Sequence, residues 1–99
     1  MKLKITKSFK VQLKLQVDFI AQDKPAAAQK FKDDILIQLA KLINMSYSNR
    51  RSIFFNNVNI RDIVFKGYVI AYKIDKKEDE IIVFGFNKYQ QNPFNTSKD

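Results

Sequence analysis

The chain has 99 residues, 45% of them hydrophobic, which is enough apolar material for one core but hardly two, so a single domain over residues 1–99 is expected. It contains no Cys and no His, which excludes disulfides and thiolate ligands and argues against zinc sites and against Ser/His or Cys/His catalysis. Lys and Arg number 18 against 10 Asp and Glu, a net charge of +8 that suggests an acidic partner: nucleic acid, a membrane surface or an acidic protein segment.

Residues 1–5 alternate apolar residues with Lys and predict a short strand with one solvated face. The basic stretch 1–20 has no continuous apolar core of the kind a signal peptide needs, and no run approaches the ~18 apolar residues of a membrane span. A soluble cytoplasmic protein with no membrane, metal or cofactor requirement is therefore expected. From Phe9 two periods compete. Phe9, Val11, Leu13, Leu15, Val17 and Phe19 satisfy a period of two, whereas Phe9, Leu13, Val17 and Ile20 satisfy helical spacing. The run is longer than most strands and is tightly linked to an unambiguous helix that needs an apolar partner, so a helix over 8–22 is predicted.

The second helix follows a turn at Asp23-Lys24-Pro25, with Asp23 the expected N-cap and Pro25 in the first turn. Its apolar face is Ala28, Phe31, Ile35, Leu39 and Leu42, at steps of three and four. Residues 44–52, rich in Asn and Ser, read as a loop that ends the helix. Strands are predicted over 59–65, 68–75 and 80–86, joined by short connections at Lys66-Gly67 and Lys76 to Asp79 that favour antiparallel hairpins. The 80–86 strand is apolar on both faces, which suits neighbours on each side and a helix above. Residues 87–99 are polar and read as a loose tail, apart from Tyr89 and Phe94, which are able to dock. The predicted class is α+β: a two-helix hairpin on one face of a twisted, mainly antiparallel sheet of three to four strands.

The Lys series at 2, 4, 7, 10 and 14, with Lys24, Lys30 and Lys32, makes the first third strongly basic. Three readings are open: a solvated face, a phosphate-facing surface, or a surface wrapped by an acidic partner segment that folds as it binds. Arg61-Asp62 interrupts an otherwise apolar strand, with Val58 and Ile60 before it and Ile63 and Phe65 after it, and this shifted alternation hints at a β-bulge. Arg61 is either a structural ion-pair partner or a functional contact. Tyr68 and Tyr72, four apart, share a face and read as core or half-buried. Arg50 and Arg51 are candidate phosphate contacts in a loop. If the chain cleaves RNA, proton transfer and charge stabilisation fall to Arg61, Lys88, Tyr89 and Glu80, whose spacing carries no diagnostic pattern.

The hairpin residues Phe19-Ile20-Ala21, Asp23, Pro25, Ala27-Ala28, Phe31, Ile35 and Leu39, together with Arg61 ahead of Tyr68, Ile70 and Tyr72, resemble the ParE/RelE family of small toxins from bacterial toxin–antitoxin pairs. The resemblance covers residues 3–86 and is nearest to the ParE branch. It implies a toxin that causes growth arrest by inhibiting DNA gyrase and is neutralised by a cognate antitoxin across the hairpin and sheet. Arg61, Lys88 and Tyr89, with Arg50 and Arg51 behind them, are the residues expected to contact the target or the antitoxin. The alternative within the family is a ribosome-dependent mRNA interferase using Arg61, Lys88 and Tyr89. That branch typically has Gly-Tyr-Arg where this chain has Gly67-Tyr68-Val69, and a basic cluster after the last strand where this chain has Phe86-Asn87-Lys88. A degenerate toxin or a plain basic nucleic-acid-binding module completes the set of readings.

Overall fold

The computed structural model describes residues 1–88. The chain runs β1 (Lys2–Ile5), α1 (Lys7–Ala21), α2 (Pro25–Met45), β2 (Arg50–Arg51), β3 (Ile60–Phe65), β4 (Tyr68–Asp75) and β5 (Glu80–Lys88). Thr6 decides the competition between periods at its first residue. Its backbone is extended and its hydroxyl oxygen accepts the Phe9 N–H at 3.2 Å, which caps α1. As a helix, 7–21 buries Phe9 and Leu13 and leaves Val11, Leu15 and Phe19 outside, the last two 60% and 63% exposed.

The turn into α2 differs from expectation in one respect. The cap position is Lys24, not Asp23, and no side chain caps the helix. Pro25 at the first helical position holds the residue before it out of the helical region, and Lys24 sits at φ −136°, ψ 80°, so Asp23 lies one residue too early to cap. Ala28, Phe31, Ile35, Leu39 and Leu42 are buried as their spacing predicts.

The sheet has five strands in the order β1-β5-β4-β3-β2, with β1 parallel to β5 and the other pairs antiparallel. The fifth strand is Arg50–Arg51, which sequence reading assigned to a loop; two residues are too few to show an alternation. At the β3–β4 turn Lys66 and Gly67 both take positive φ, 50° and 82°, the twist that a two-residue hairpin requires. β5 extends through Asn87 and Lys88, so those two residues belong to the strand rather than to a tail. Tyr89, Phe94 and the rest of the expected tail lie outside the described residues.

No bulge occurs at Arg61-Asp62: β3 pairs with β4 residue for residue from Ile60↔Lys73 to Phe65↔Tyr68. The irregularity lies in β5, where Ala71 pairs with Gly85 and Tyr72 with Val83, so Phe84 is the extra residue. It reverses the side-chain parity, and Ile81, Val83 and Phe86 all join the cluster under the helices. There Phe86 stacks on Tyr68 with ring centroids 5.1 Å apart and meets Phe9 and Phe31 edge-on at 5.6 and 6.4 Å. Such ring pairs contribute about 0.5–1.5 kcal/mol each beyond their burial. On the other face of the sheet the segment after β2 supplies cover: Phe54 is buried and the Phe55 ring meets Phe84 at 5.6 Å.

Candidate functional site

Arg61 and Tyr72 are directly opposed across β3 and β4, on the face that carries the helices. The Arg61 Nη1 donates to the Asn49 carbonyl at 3.2 Å, and its guanidinium lies 5.2 Å from the centroid of the Tyr47 ring. Lys76 Nζ lies 5.6 Å from the same ring, which is 45% exposed, so two cations share one solvent-facing aromatic. The Tyr72 hydroxyl donates to the Ser46 carbonyl at 2.5 Å and accepts from Asn49 Nδ2 at 3.3 Å. Burial pushes the Tyr72 phenol up, against the Asn49 hydrogen bond and the Arg61 charge that favour ionisation, so it remains a neutral donor.

Asp62, next to Arg61 in an extended strand, points to the opposite face and cannot pair with it. Its cation is Arg50, directly across β2, with Nη2 3.6 Å from Oδ2. Oδ2 also accepts the Ile53 N–H at 3.4 Å, and Oδ1 is buried without a hydrogen-bond partner among the described residues. Burial drives the Asp62 carboxyl above its ordinary range, opposed by Ser52, Arg50 and Ile53. The Arg61–Asp62 ion pair that adjacency suggested is thus replaced by Arg50–Asp62. Arg51 lies opposite Arg61 at the sheet edge and is exposed.

Lys88 is elsewhere. It pairs with Tyr68, four residues along β4 from Tyr72, about 13 Å at strand rise. It lines a shallow depression with Gln12, Gln16 and Tyr68, whose phenol burial also pushes up. Glu80 begins β5, within 4.0 Å of Lys4 and at the end of the strand opposite Lys88. The fold therefore gathers Arg50, Arg51 and Arg61 at one corner, leaves Lys88 at another, and does not bring Arg61, Lys88 and Glu80 together; Tyr89 lies outside the described residues.

A feature that sequence reading did not resolve is a groove of about 360 Å³ between the hairpin and β1. Ile5, Phe9, Leu13, Val17, Leu36 and Leu39 form its apolar lining, and Lys10, Lys14 and Lys32 add charge. The i, i+4 spacing of Lys10 and Lys14 was the signal available, since it places both on one stripe of α1. The groove's one carboxylate, Asp18, is 2.7 Å from Lys14. Among the described residues no group of three or more acidic side chains is placed to hold a metal ion, and no helix is long and apolar enough to cross a membrane.

The sequence matches the family model for the ParE toxin of type II toxin–antitoxin systems, parDE, over residues 3–93. A solved structure of the chromosomal ParDE toxin–antitoxin system from P. aeruginosa is similar in fold, with a TM-score of 0.76 over 91% of this chain and 97% of that chain, at 19% sequence identity. A comparison with curated proteins returned no match. The family match runs from β1 to beyond β5 and takes in the hairpin, the sheet and every candidate residue described above: this chain belongs to the ParE toxin family of type II toxin–antitoxin systems.

Proposed function

We propose that this ParE-family toxin arrests growth by binding and inhibiting DNA gyrase in the cytoplasm, and that a cognate antitoxin neutralises it by covering the basic groove of the hairpin. The observation that carries the reading is the family match over residues 3–93. The geometry supports binding over cleavage. A ribonuclease centre needs a base, an acid and a cation within reach of one phosphate. Here Arg61 is engaged with Asn49 and Tyr47, and Lys88 opposes Tyr68, about 13 Å along β4 from the residue facing Arg61. Residues separated in this way suit an extended protein–protein interface, with Arg50, Arg51 and Arg61 at one corner and Lys88 at the other.

The test is induced expression in a bacterium, combined with supercoiling assays on purified gyrase and inspection of transcripts. Growth arrest, inhibited supercoiling and intact transcripts are expected. Transcripts cut only when ribosomes are present would replace the gyrase reading with ribosome-dependent cleavage, and binding to bare DNA or RNA without arrest would replace it with a nucleic-acid-binding role.

A further inference from the structure

We infer that Tyr47, Arg51, Arg61 and Lys76 form a binding site for an unpaired DNA strand, with phosphates on the three cations and one base stacked on the Tyr47 ring. The inference deepens the gyrase reading at the same corner and rests on it only for the source of the strand, the DNA that such a target handles.

The fold brings these residues together from separate stretches of the chain. Arg51 and Arg61 are paired across β2 and β3, so their side chains leave the same face of the sheet from Cα atoms about 4.5–5.5 Å apart. The Arg61 guanidinium lies 5.2 Å and Lys76 Nζ 5.6 Å from the Tyr47 ring centroid, so both charges border one exposed ring. The backbone is anchored on both sides of that ring: the Ser46 carbonyl accepts from the Tyr72 hydroxyl, and the Asn49 carbonyl accepts from Arg61 Nη1. An aromatic side chain on an anchored segment offers a stacking surface with little ordering left to do on binding.

The cations are not committed to carboxylates. None of the ion pairs found among the described residues includes Arg51, Arg61 or Lys76. Asp62, the carboxylate next to Arg61 in sequence, is on the opposite face with Arg50. Charge and ring together select the occupant. Each nucleotide of an unpaired strand brings one phosphate and one base, and so uses both parts of the site. An acidic peptide meets the same cations but leaves the ring uncovered, and duplex DNA keeps its bases stacked inside. Phosphate contacts and stacking do not read base edges, so binding is expected to tolerate any sequence.

The experiment is an anisotropy titration of a labelled oligothymidylate with the full chain at a series of salt concentrations. Each neutralised phosphate contributes about −0.7 to the slope of log K against log salt for a single strand. The combined variant Arg51→Ala and Lys76→Ala, both at exposed positions, is expected to make that slope shallower by about 1.4. The pair Lys2→Ala and Lys4→Ala, exposed on β1 at the other edge of the sheet, is expected to leave it unchanged. Tyr47→Ala is expected to weaken binding about tenfold or more with the slope unchanged, and Tyr47→Phe to retain wild-type affinity. Thermal unfolding of each variant verifies that the fold is kept. No binding at about 0.1 mM in low salt, an equal change of slope in the two double variants, or full affinity in Tyr47→Ala overturns the inference. So does duplex DNA bound as tightly as the single strand, an RNA strand bound tenfold more tightly than DNA, or displacement of the DNA by an equal concentration of polyglutamate peptide. Growth arrest and supercoiling are measured apart from this titration, so failure of the DNA site leaves the gyrase reading standing.

Discussion

Arg61 and Tyr72 face each other across two strands and hold the same short segment from two sides: Arg61 Nη1 donates to the Asn49 carbonyl at 3.2 Å, and the Tyr72 hydroxyl donates to the Ser46 carbonyl at 2.5 Å. Together they fasten the chain that leaves α2 to the sheet, just before it enters β2 with Arg50 and Arg51. The cationic corner is thus presented by a segment whose position depends on one buried phenol and one half-buried guanidinium.

Tyr72→Phe leaves the Ser46 carbonyl and Asn49 Nδ2 without this partner and is expected to lower stability by about 1–2 kcal/mol in urea unfolding, with the fold retained. Arg61→Ala is expected to lower stability by a similar amount, about 1–3 kcal/mol, and also to reduce toxicity. A loss of toxicity in Arg61→Ala accompanied by complete unfolding at growth temperature would assign Arg61 a purely structural role.

Lys88 is exposed at the end of β5, and none of the ion pairs found among the described residues includes it. Lys88→Ala is expected to change unfolding free energy by less than about 0.5 kcal/mol, as exposed substitutions do. If Lys88 contacts the target, the same variant inhibits supercoiling less at equal concentration. Full inhibition by the variant removes Lys88 from the interface.

Two carboxylates act on stability in separate pH windows. Asp62 has its pKa raised above the ordinary 3.8 by burial, so between that raised value and 3.8 the folded state holds more protons than the unfolded state. Stability is expected to rise as pH falls through this window, and Asp62→Asn removes that slope. Asp34 has its pKa lowered by hydrogen bonds from Lys66 and Lys30, so its contribution is complete above 3.8 and is lost as pH falls below it. Chemical denaturation across pH with Asp62→Asn and Asp34→Asn separates the two, and a wild-type slope persisting above 3.8 in Asp62→Asn refutes the assignment.

Gly67 sits at φ +82° with nothing within 4 Å of the position a Cβ would take, so Gly67→Ala adds conformational strain without a clash. A loss of about 1 kcal/mol is expected. Phe86→Ala, which removes the ring that meets Phe9, Phe31 and Tyr68, is expected to lose about 3–5 kcal/mol. Comparing unfolding midpoints of the two variants checks the ranking.

Local chemistry made much of this protein legible from its residues. The 3.6-residue period of Ala28, Phe31, Ile35, Leu39 and Leu42 defined α2 and its buried face, because a helix without an apolar stripe has nothing to pack. Gly67 after Lys66 defined the β3–β4 hairpin, because few residues accept positive φ. The hairpin motif around Pro25 and the strand residues from Arg61 to Tyr72 carried the family resemblance that the match over residues 3–93 confirms. Tertiary contacts decided the rest. Adjacency made Asp62 look like the partner of Arg61, but side chains of neighbouring strand residues point apart, and only the pairing of β2 with β3 showed that Arg50 fills that role. The shifted alternation at Arg61 came from two polar side chains on opposite faces, while the actual bulge lay at Phe84, hidden because that strand is apolar on both faces. The parallel pairing of β1 with β5, and with it the groove between β1 and the hairpin, joins residues almost eighty positions apart; no local pattern records such a contact, since it is selected by the packing of the whole sheet against the hairpin.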